Sequence, residues 1–313
     1  MSPLYLGLDL GGTNVRTAVA RLDGEVVSLV GRDTRPTPQS GPESVVGALV
    51  ASANAAITAA KVRIGDIAAA GLSSPGPLDH KTGIVIITQN IAGLRDVPLA
   101  ALVQDRLGGP RVFLDRDTVM AAIGEGTIGA GKGVGNFVYL TVSTGVGGAI
   151  VAGGKMVRGA TNTAGELGHF PVGFDRDDRC RCGGFGCVEA YAAGRNLAEA
   201  YGVDDASIVY AKAAAGDERA AALIARAEAA LSNLAVGVVN ALNPERIIVG
   251  GSIAEHEPSH VLEPMRRAIA ERAFKVAAAA VTVIPSALGA DVSIIGSALA
   301  ACDRAAGHGE WFL

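Results

Sequence analysis

Apolar and polar positions near the start of the chain fall into short blocks punctuated by glycine. Tyr5 to Asp9 and Val15 to Arg21 are β-type runs separated by Gly11, Gly12 and Thr13, which predicts a hairpin whose turn is mostly backbone. Val26 to Val30 continues that sheet. A helix follows from Pro42 to Lys61, with Glu43 near its positive end. Ile67 to Leu72 reads as a buried strand stopped by the Ser73 to Pro77 turn. A helix from Leu99 to Leu107 and a strand from Arg111 to Leu114 complete an alternating α/β unit, and a helix over Thr118 to Glu125 comes next.

The run from Phe137 to Val151 repeats the opening design of strand, Thr/Gly turn and strand. Two sheets built alike, each presenting a Gly-rich turn, predict an α/β protein of two domains with a ligand cleft between them. Further on, Gly216 to Ala241 is Ala-rich and reads as two helices broken near Ser232. Ile247 to Val249 is a buried strand ending in Gly250, Gly251 and Ser252. Pro264 to Phe274 reads as helix, Val281 to Ile284 as strand and Ile294 to Arg304 as the last helix. The expected division is a small N-terminal α/β domain over 1–115, with the C-terminal helix of about 294–313 packing back on it, and a large C-terminal α/β domain over 116–293.

Composition narrows the partners. The 313 residues carry a net charge of −4, which leaves no overall electrostatic footprint for nucleic acid or an acidic membrane. The charge-free stretch from Val134 to Gly154 is broken by six glycines and by Thr141, Ser143 and Thr144, so it reads as strand, turn and strand and not as a bilayer span. The N-terminal run has no basic flank and is interrupted by Asp9. No membrane segment and no secretory signal are expected, and the location expected is cytoplasmic.

Three of the four cysteines cluster. Cys180 and Cys182 form a Cys-x-Cys, Cys187 follows after a glycine-rich spacer, and His169 lies upstream. A Cys3His set is the ligand set of a closed, structural zinc site, and Cys180 and Cys182 are too close in sequence for an easy disulfide. Such a metal would pin the loop that carries Glu166 and Glu189. Cys302 stands apart as a small apolar filler.

Three Gly-rich turns follow apolar strands. At Asp9, Gly11, Gly12, Thr13 and Asn14, the glycines allow a close phosphate approach, Thr13 and backbone N–H groups donate, and Asp9 offers a magnesium contact directly or through water. Ser143, Thr144 and Gly145 repeat the hydroxyl-plus-glycine composition. Gly250 and Gly251 would let a nucleoside lie against backbone. A Gly-Gly hairpin turn alone is an ordinary turn; three in one chain point to a nucleotide.

Together these residues resemble the ROK family (repressors, open reading frames and sugar kinases) of the sugar-kinase, actin and heat-shock ATPase superfamily. The resemblance rests on LDLGGTNVR at the start, GLSSPGPLD from Gly71, DRDTVMAAIGE from Asp115, STGVGG from Ser143, AGELGH from Ala164, CRCGGFGCVEA from Cys180 and IIVGGSI from Ile247. It implies ATP- and magnesium-dependent phosphorylation of a hexose, most simply glucose to glucose 6-phosphate. The partners implied are a sugar and a nucleotide, with no nucleic acid, and a homodimer. By resemblance Asp117 would be the general base. Gly76, Asn90, Arg116, Asp117, Glu166, His169 and Glu189 would contact the sugar, with His169 also a zinc ligand. Asp9, Gly11, Gly12, Thr13, Asn14, Ser143, Thr144, Gly145, Gly250 and Gly251 would hold ATP.

The chain departs from the family where Asn-Asp-Ala-Asn is usual, since it reads Arg116-Asp117-Thr118-Val119. Arginine offers donors only, on a longer charged arm. It would either pair with Asp115, leaving the hexose one contact short, or point inward and favour a substrate bearing an acidic or more oxygen-rich group. N-acetylhexosamine, fructose, mannose or allose as acceptor, polyphosphate as donor, and a non-catalytic sugar sensor are the alternatives. A sugar-responsive repressor would need a DNA-binding segment before Asp9, and none is expected.

Overall fold

The computed structural model describes residues 2–88 and 90–307, and the part of the predicted C-terminal helix beyond 307 lies outside the described residues. The chain forms two compact units. One comprises the chain through Gly133, the strap Arg158–Ala164 and the segment from Asp291; the other comprises Val134–Val157 and Gly165–Ala290. The first unit therefore extends past residue 115 and includes the helix that begins at Asp117.

The first unit is built on β1 (Leu4–Leu10), β2 (Asn14–Asp23), β3 (Val26–Pro36), β4 (Ile67–Ser74), a small sheet of β5 (Leu78–Asp79), β6 (Ile84–Ile87) and β7 (Arg95–Val97), and β8 (Val112–Arg116). The main sheet runs β3-β2-β1-β4-β8. Its first three strands are antiparallel and β1, β4 and β8 are parallel. Helices α1 (Pro42–Ala59), α2 (Leu99–Leu107) and α3 (Asp117–Ile128) complete it with the C-terminal helix Val292–Ala305. Leu6, Leu8, Leu10, Leu49, Leu72, Leu99 and Leu114 lie in its core.

The C-terminal helix lies against backbone. A Cβ added to Gly7 would sit 2.1 Å from the Ile294 carbonyl oxygen, and one on its sheet partner Gly71 would sit 1.9 Å from that of Ser297. Gly296 of the same helix faces α3, where an added Cβ would sit 1.7 Å from the Met120 carbonyl oxygen. Only residues without a side chain permit these approaches.

The second unit repeats the plan with β9 (Phe137–Val142), β10 (Val146–Ala152), β11 (Lys155–Met156), β12 (Arg246–Gly250) and β13 (Thr282–Pro285), in the order β11-β10-β9-β12-β13. The pairing directions match strand for strand. The internal symmetry read from the sequence is thus a repeated sheet. Helices α4 (Val188–Ala192), α5 (Gly194–Tyr201), α6 (Ala206–Ala214), α7 (Glu218–Leu242), α8 (Ser252–His256), α9 (Pro258–Arg272) and α10 (Lys275–Ala280) surround it.

Two helix expectations need correction. The Ala-rich segment is the single helix α7, unbroken at Ser232, because Ser232 faces inward with Leu231, Leu234 and Ala235 and the flanking residues favour helix. Helix α9 starts at Pro258, so Pro264 lies inside it and not at its head. Helix α7 is long and apolar enough by composition to cross a membrane. Its Ile224, Leu231, Leu234 and Val239 are instead buried in this unit's core.

Candidate active site

The predicted site residues fall into two sets, one in each unit. In the first, the carboxyl ends of β1, β4 and β8 lie side by side, with Asp9 level with Ser73 and Ser73 level with Asp115. Ligands of α/β sheets gather outside such strand ends. Asp9 is buried at 5 % exposure. Its Oδ2 accepts from Nε and Nη2 of Arg16 at 3.0 and 2.5 Å, and its Oδ1 accepts from the Ser73 hydroxyl at 2.5 Å. Arg16 closes the LDLGGTNVR run and is the residue opposite Asp9 in the hairpin register, so counting outward from the turn pairs the two.

The Gly11–Thr13 turn is tied from behind. The buried Thr37 donates from its hydroxyl to the Gly11 carbonyl at 2.7 Å and from its amide to the Thr13 carbonyl at 2.8 Å. Gln39 Nε2 donates to the Gly12 carbonyl at 3.1 Å. Across a trans peptide the N–H points opposite to the preceding C=O. The amides of Gly12 and Thr13 therefore face away from the Thr37–Gln39 segment, as an anion-binding turn requires. Asn90 lies beside the turn, with its Cβ 3.2 Å from where a Cβ on Gly12 would sit.

Strand β8 runs directly into α3. Arg116 is the N-cap and Asp117 the first helical residue, one place later than a capping role for Asp117 would need; its Oδ1 accepts from the Thr118 amide at 2.7 Å. Arg116 is 2 % exposed. Its stem runs along Gly76, where an added Cβ would meet Cδ at 3.3 Å, and its Nη2 donates to the Ala164 carbonyl at 2.6 Å. The Asp115 carboxylate takes Arg158 at 2.8 Å and Arg304 at 3.6 Å. Of the two alternatives for Arg116, its guanidinium is directed to the strap at Ala164, while other arginines hold Asp115. His80 lies in the same charged surroundings, and burial first, then the Arg158 guanidinium, holds its pKa below the ordinary histidine value.

In the second unit, Ser143, Thr144 and Gly145 form the turn between β9 and β10. The Ser143 carbonyl accepts from the Gly194 amide at 2.8 Å, and its hydroxyl lies 2.9 Å from that of Ser252. Gly250 ends β12 level with Thr141, and Gly251 holds φ at +96° with no room for a Cβ beside Thr141 and the Val142 carbonyl. The structure therefore brings the second and third Gly-rich turns together. Glu189, in the first turn of α4, joins them: its Oε2 accepts from the Val146 amide at 3.1 Å and lies 3.0 Å from where a Cβ on Gly145 would be.

His169, Cys180, Cys182 and Cys187 converge, each offering one ligand atom within 4.8 Å of all the others. Cys180 Sγ is 3.6 Å from His169 Nδ1, and Cys182 Sγ is 3.8 Å from Cys187 Sγ. A tetrahedron with zinc–ligand bonds of about 2.0–2.3 Å has edges of roughly 3.3–3.8 Å; these two edges match it, and the four donor types are those such an ion takes. Without a metal, burial first and then the neighbouring Cys180 push the Cys187 thiol up to about 12. Glu166 is exposed and heads the one-turn helix Leu167–His169, its carbonyl accepting from the His169 amide at 3.0 Å. The cysteine loop has a second anchor that no sequence motif marks, where Asp178 accepts from the Tyr191 hydroxyl at 2.6 Å and from Arg226 at 2.5 Å.

The ROK family profile matches residues 5–304, and the chain belongs to that family. Its fold is the two-domain α/β fold of the ROK sugar kinases. It is 31 % identical over 322 residues to the glucokinase of Thermotoga maritima, covering 96 % of this chain and 98 % of that one. It is 33 % identical over 278 residues to the N-acetylmannosamine kinase of Escherichia coli, covering 87 % and 90 %. The crystal structure of a ROK family glucokinase from Streptomyces griseus, in complex with glucose and AMPPNP, superposes with a TM-score of 0.78 at 28 % identity and covers 96 % of this chain and 99 % of that one.

Proposed function

We propose that this protein transfers the γ-phosphoryl group of ATP to a hydroxyl of a hexose, with glucose as the leading acceptor and Asp117 as general base. The observation that carries this is the first unit's row of strand ends, where Asp9, the Gly11–Thr13 turn, Asn90 and Asp117 follow the carboxyl ends of parallel strands or pack beside them. Kinship to glucokinases supports the chemistry. An N-acetylhexosamine acceptor is the second reading, favoured by the N-acetylmannosamine kinase relative and by Arg116 in place of the family's asparagine.

Asp117 would accept the hydrogen bond of the attacking hydroxyl and then take its proton. Phosphoryl transfer has a loose transition state, so the proton leaves late and the reaction asks little basicity of its base. The amides of Gly12 and Thr13, with the Thr13 hydroxyl, would hold phosphate oxygens, and Ser143 to Gly145 would repeat that role in the second unit. Gly250 and Gly251 would lie against the nucleoside. Asn90, Glu166, His169 and Glu189 would fix the sugar, each carboxylate accepting from neighbouring hydroxyls.

Magnesium, when bound, would supply positive charge that offsets the negative charge of the phosphates. Arg16 and Ser73 each occupy one position on an Asp9 oxygen, so Asp9 would hold that ion through its water shell, which suits an ion that keeps several waters. Zinc, when bound, closes the Cys3His set and holds Glu189 two residues after a ligand. The expected setting is the cytoplasm, where thiolates stay reduced, and the expected assembly is a homodimer.

The test is ADP release with Mg-ATP across glucose, mannose, fructose, allose, N-acetylglucosamine and N-acetylmannosamine. Turnover on one sugar, reduced about 10²- to 10⁴-fold in Asp117→Asn with sugar affinity retained, is the expected result. Silence across the panel with folded, zinc-replete protein refutes the reading.

A further inference from the structure

We infer that Gln39 is a positioning residue that couples the nucleotide and sugar sites, because its side-chain amide bridges the Gly11–Thr13 turn to the Asn90 segment. One end, Nε2, donates to the Gly12 carbonyl at 3.1 Å; the other, Oε1, accepts from the Ala92 amide at 3.0 Å. A side-chain amide can donate to a carbonyl and accept from an N–H at once through two separate atoms. A glutamate at this position would keep the acceptor and lose the donor.

The bridge stands on a close backbone approach. Gly41, two residues after Gln39, packs against Gly93, one residue after Ala92, where a Cβ on Gly93 would lie 3.2 Å from the Gly41 Cα. Segments 39–41 and 92–93 are therefore in close backbone contact, and Gln39 joins that contact to the turn. Thr37 holds the Gly11 and Thr13 carbonyls from the same strand end, so Gln39, at the Gly12 carbonyl between them, adds a tie from the turn to the Asn90 segment, whose Asn90 already packs beside Gly12.

The consequence is thermodynamic. A phosphate drawn to the Gly12 and Thr13 amides fixes the peptide planes of the turn, the Gly12 carbonyl fixes the Gln39 amide, and Gln39 fixes the Asn90 segment before the sugar arrives. Ordering that has already taken place need not be repeated when the second ligand binds, so each ligand tightens the other by the same factor. Gln39 is exposed and touches neither ligand under the proposed function, on which this inference rests.

The experiment measures sugar affinity by titration calorimetry with and without AMPPNP, using the acceptor of highest kcat/KM in the panel above. The wild-type protein is expected to bind sugar about 5-fold or more tighter with the nucleotide present. In Gln39→Leu, which keeps bulk and removes both bonds, that ratio is expected to fall to about 2-fold or less. Gln39→Glu should behave in the same way, with the melting temperature of both variants unchanged. A Leu variant that keeps the wild-type ratio, or a wild type that turns over sugar yet shows no coupling, overturns the inference and leaves the kinase reading intact. A wild type that binds neither ligand overturns both.

Discussion

Replacing Gly296 by alanine tests whether the C-terminal helix sets the position of Asp117. A Cβ at Gly296 would lie 1.7 Å from the Met120 carbonyl oxygen and 2.5 Å from its carbon, whereas ordinary contact begins at 3.4 Å. The obstacle is helix backbone, so no rotamer change relieves it, and α3 and the C-terminal helix must part by roughly the difference. Overpacking a dense core costs about 1–3 kcal/mol, and a backbone obstacle places this case at the upper end. For a chain of 313 residues that is a fall in melting temperature of about 4–5 °C. Asp117 lies three residues before Met120 on the same helix. A displacement of ~1 Å there would lower kcat by roughly 100-fold. The control is Gly47→Ala in the interior of α1, where nothing lies within 4 Å of the new Cβ. It should leave kcat unchanged and add ~0.5–1 kcal/mol of stability. Thermal denaturation by circular dichroism, with steady-state kinetics on the same samples, reads both outcomes. A Gly296→Ala protein with wild-type melting temperature and kcat would show that the two helices do not constrain each other.

Removing the guanidinium in Arg116→Met keeps the stem beside Gly76 but leaves the Ala164 carbonyl without that donor; a charged hydrogen bond of ~1.5–3 kcal/mol translates to a sugar KM raised roughly 10- to 100-fold with the ATP KM little changed, and equal changes in both would sink the assignment. Cys182→Ser should lower zinc per chain by elemental analysis and weaken sugar affinity together, and carefully purified wild type without zinc would disprove the metal site. His80 has a folded-state pKa below its ordinary value, through burial and then Arg158, so the unfolded state binds more protons as pH falls. Its contribution is fully present above about pH 6.5 and is lost as pH falls through the folded value. Urea denaturation at pH 7.5, 6.5 and 5.5 should show that slope in wild type and a shallower one in His80→Gln.

Short-range pattern carries only part of this fold. Alternation and glycine turns mark most strands of the two main sheets, though β3 runs on to Pro36 beyond the expected Val30 and β11 leaves no mark, and the repeated hairpin announces the repeated sheet. Strands of two to four residues, as in the small sheet from Leu78 to Val97, are too short to leave a period. The domain limit is harder for a different reason. Asp117–Ile128 sits in the first unit because Gly296, far along the chain, lets the C-terminal helix press on Met120, and no local pattern near residue 115 encodes that approach. The site divides along the same line. Residues that offer chemistry announce themselves by type, as Asp9, Asp117, Glu189 and the cysteines do. Their supports are chosen by tertiary register: Arg16 by a hairpin count, Ser73 by parallel pairing with Asp9, Arg158 by a strap returning from another part of the chain. At Arg116 the residue that departs from the family pattern contacts a neighbouring segment. Its residue type suggests a changed sugar pocket, but the contact at Ala164 ties the change to the segment immediately before Gly165 and Glu166. Acceptor preference in this chain is therefore expected to depend on how Arg116 holds the strap as much as on what Arg116 itself offers to a sugar.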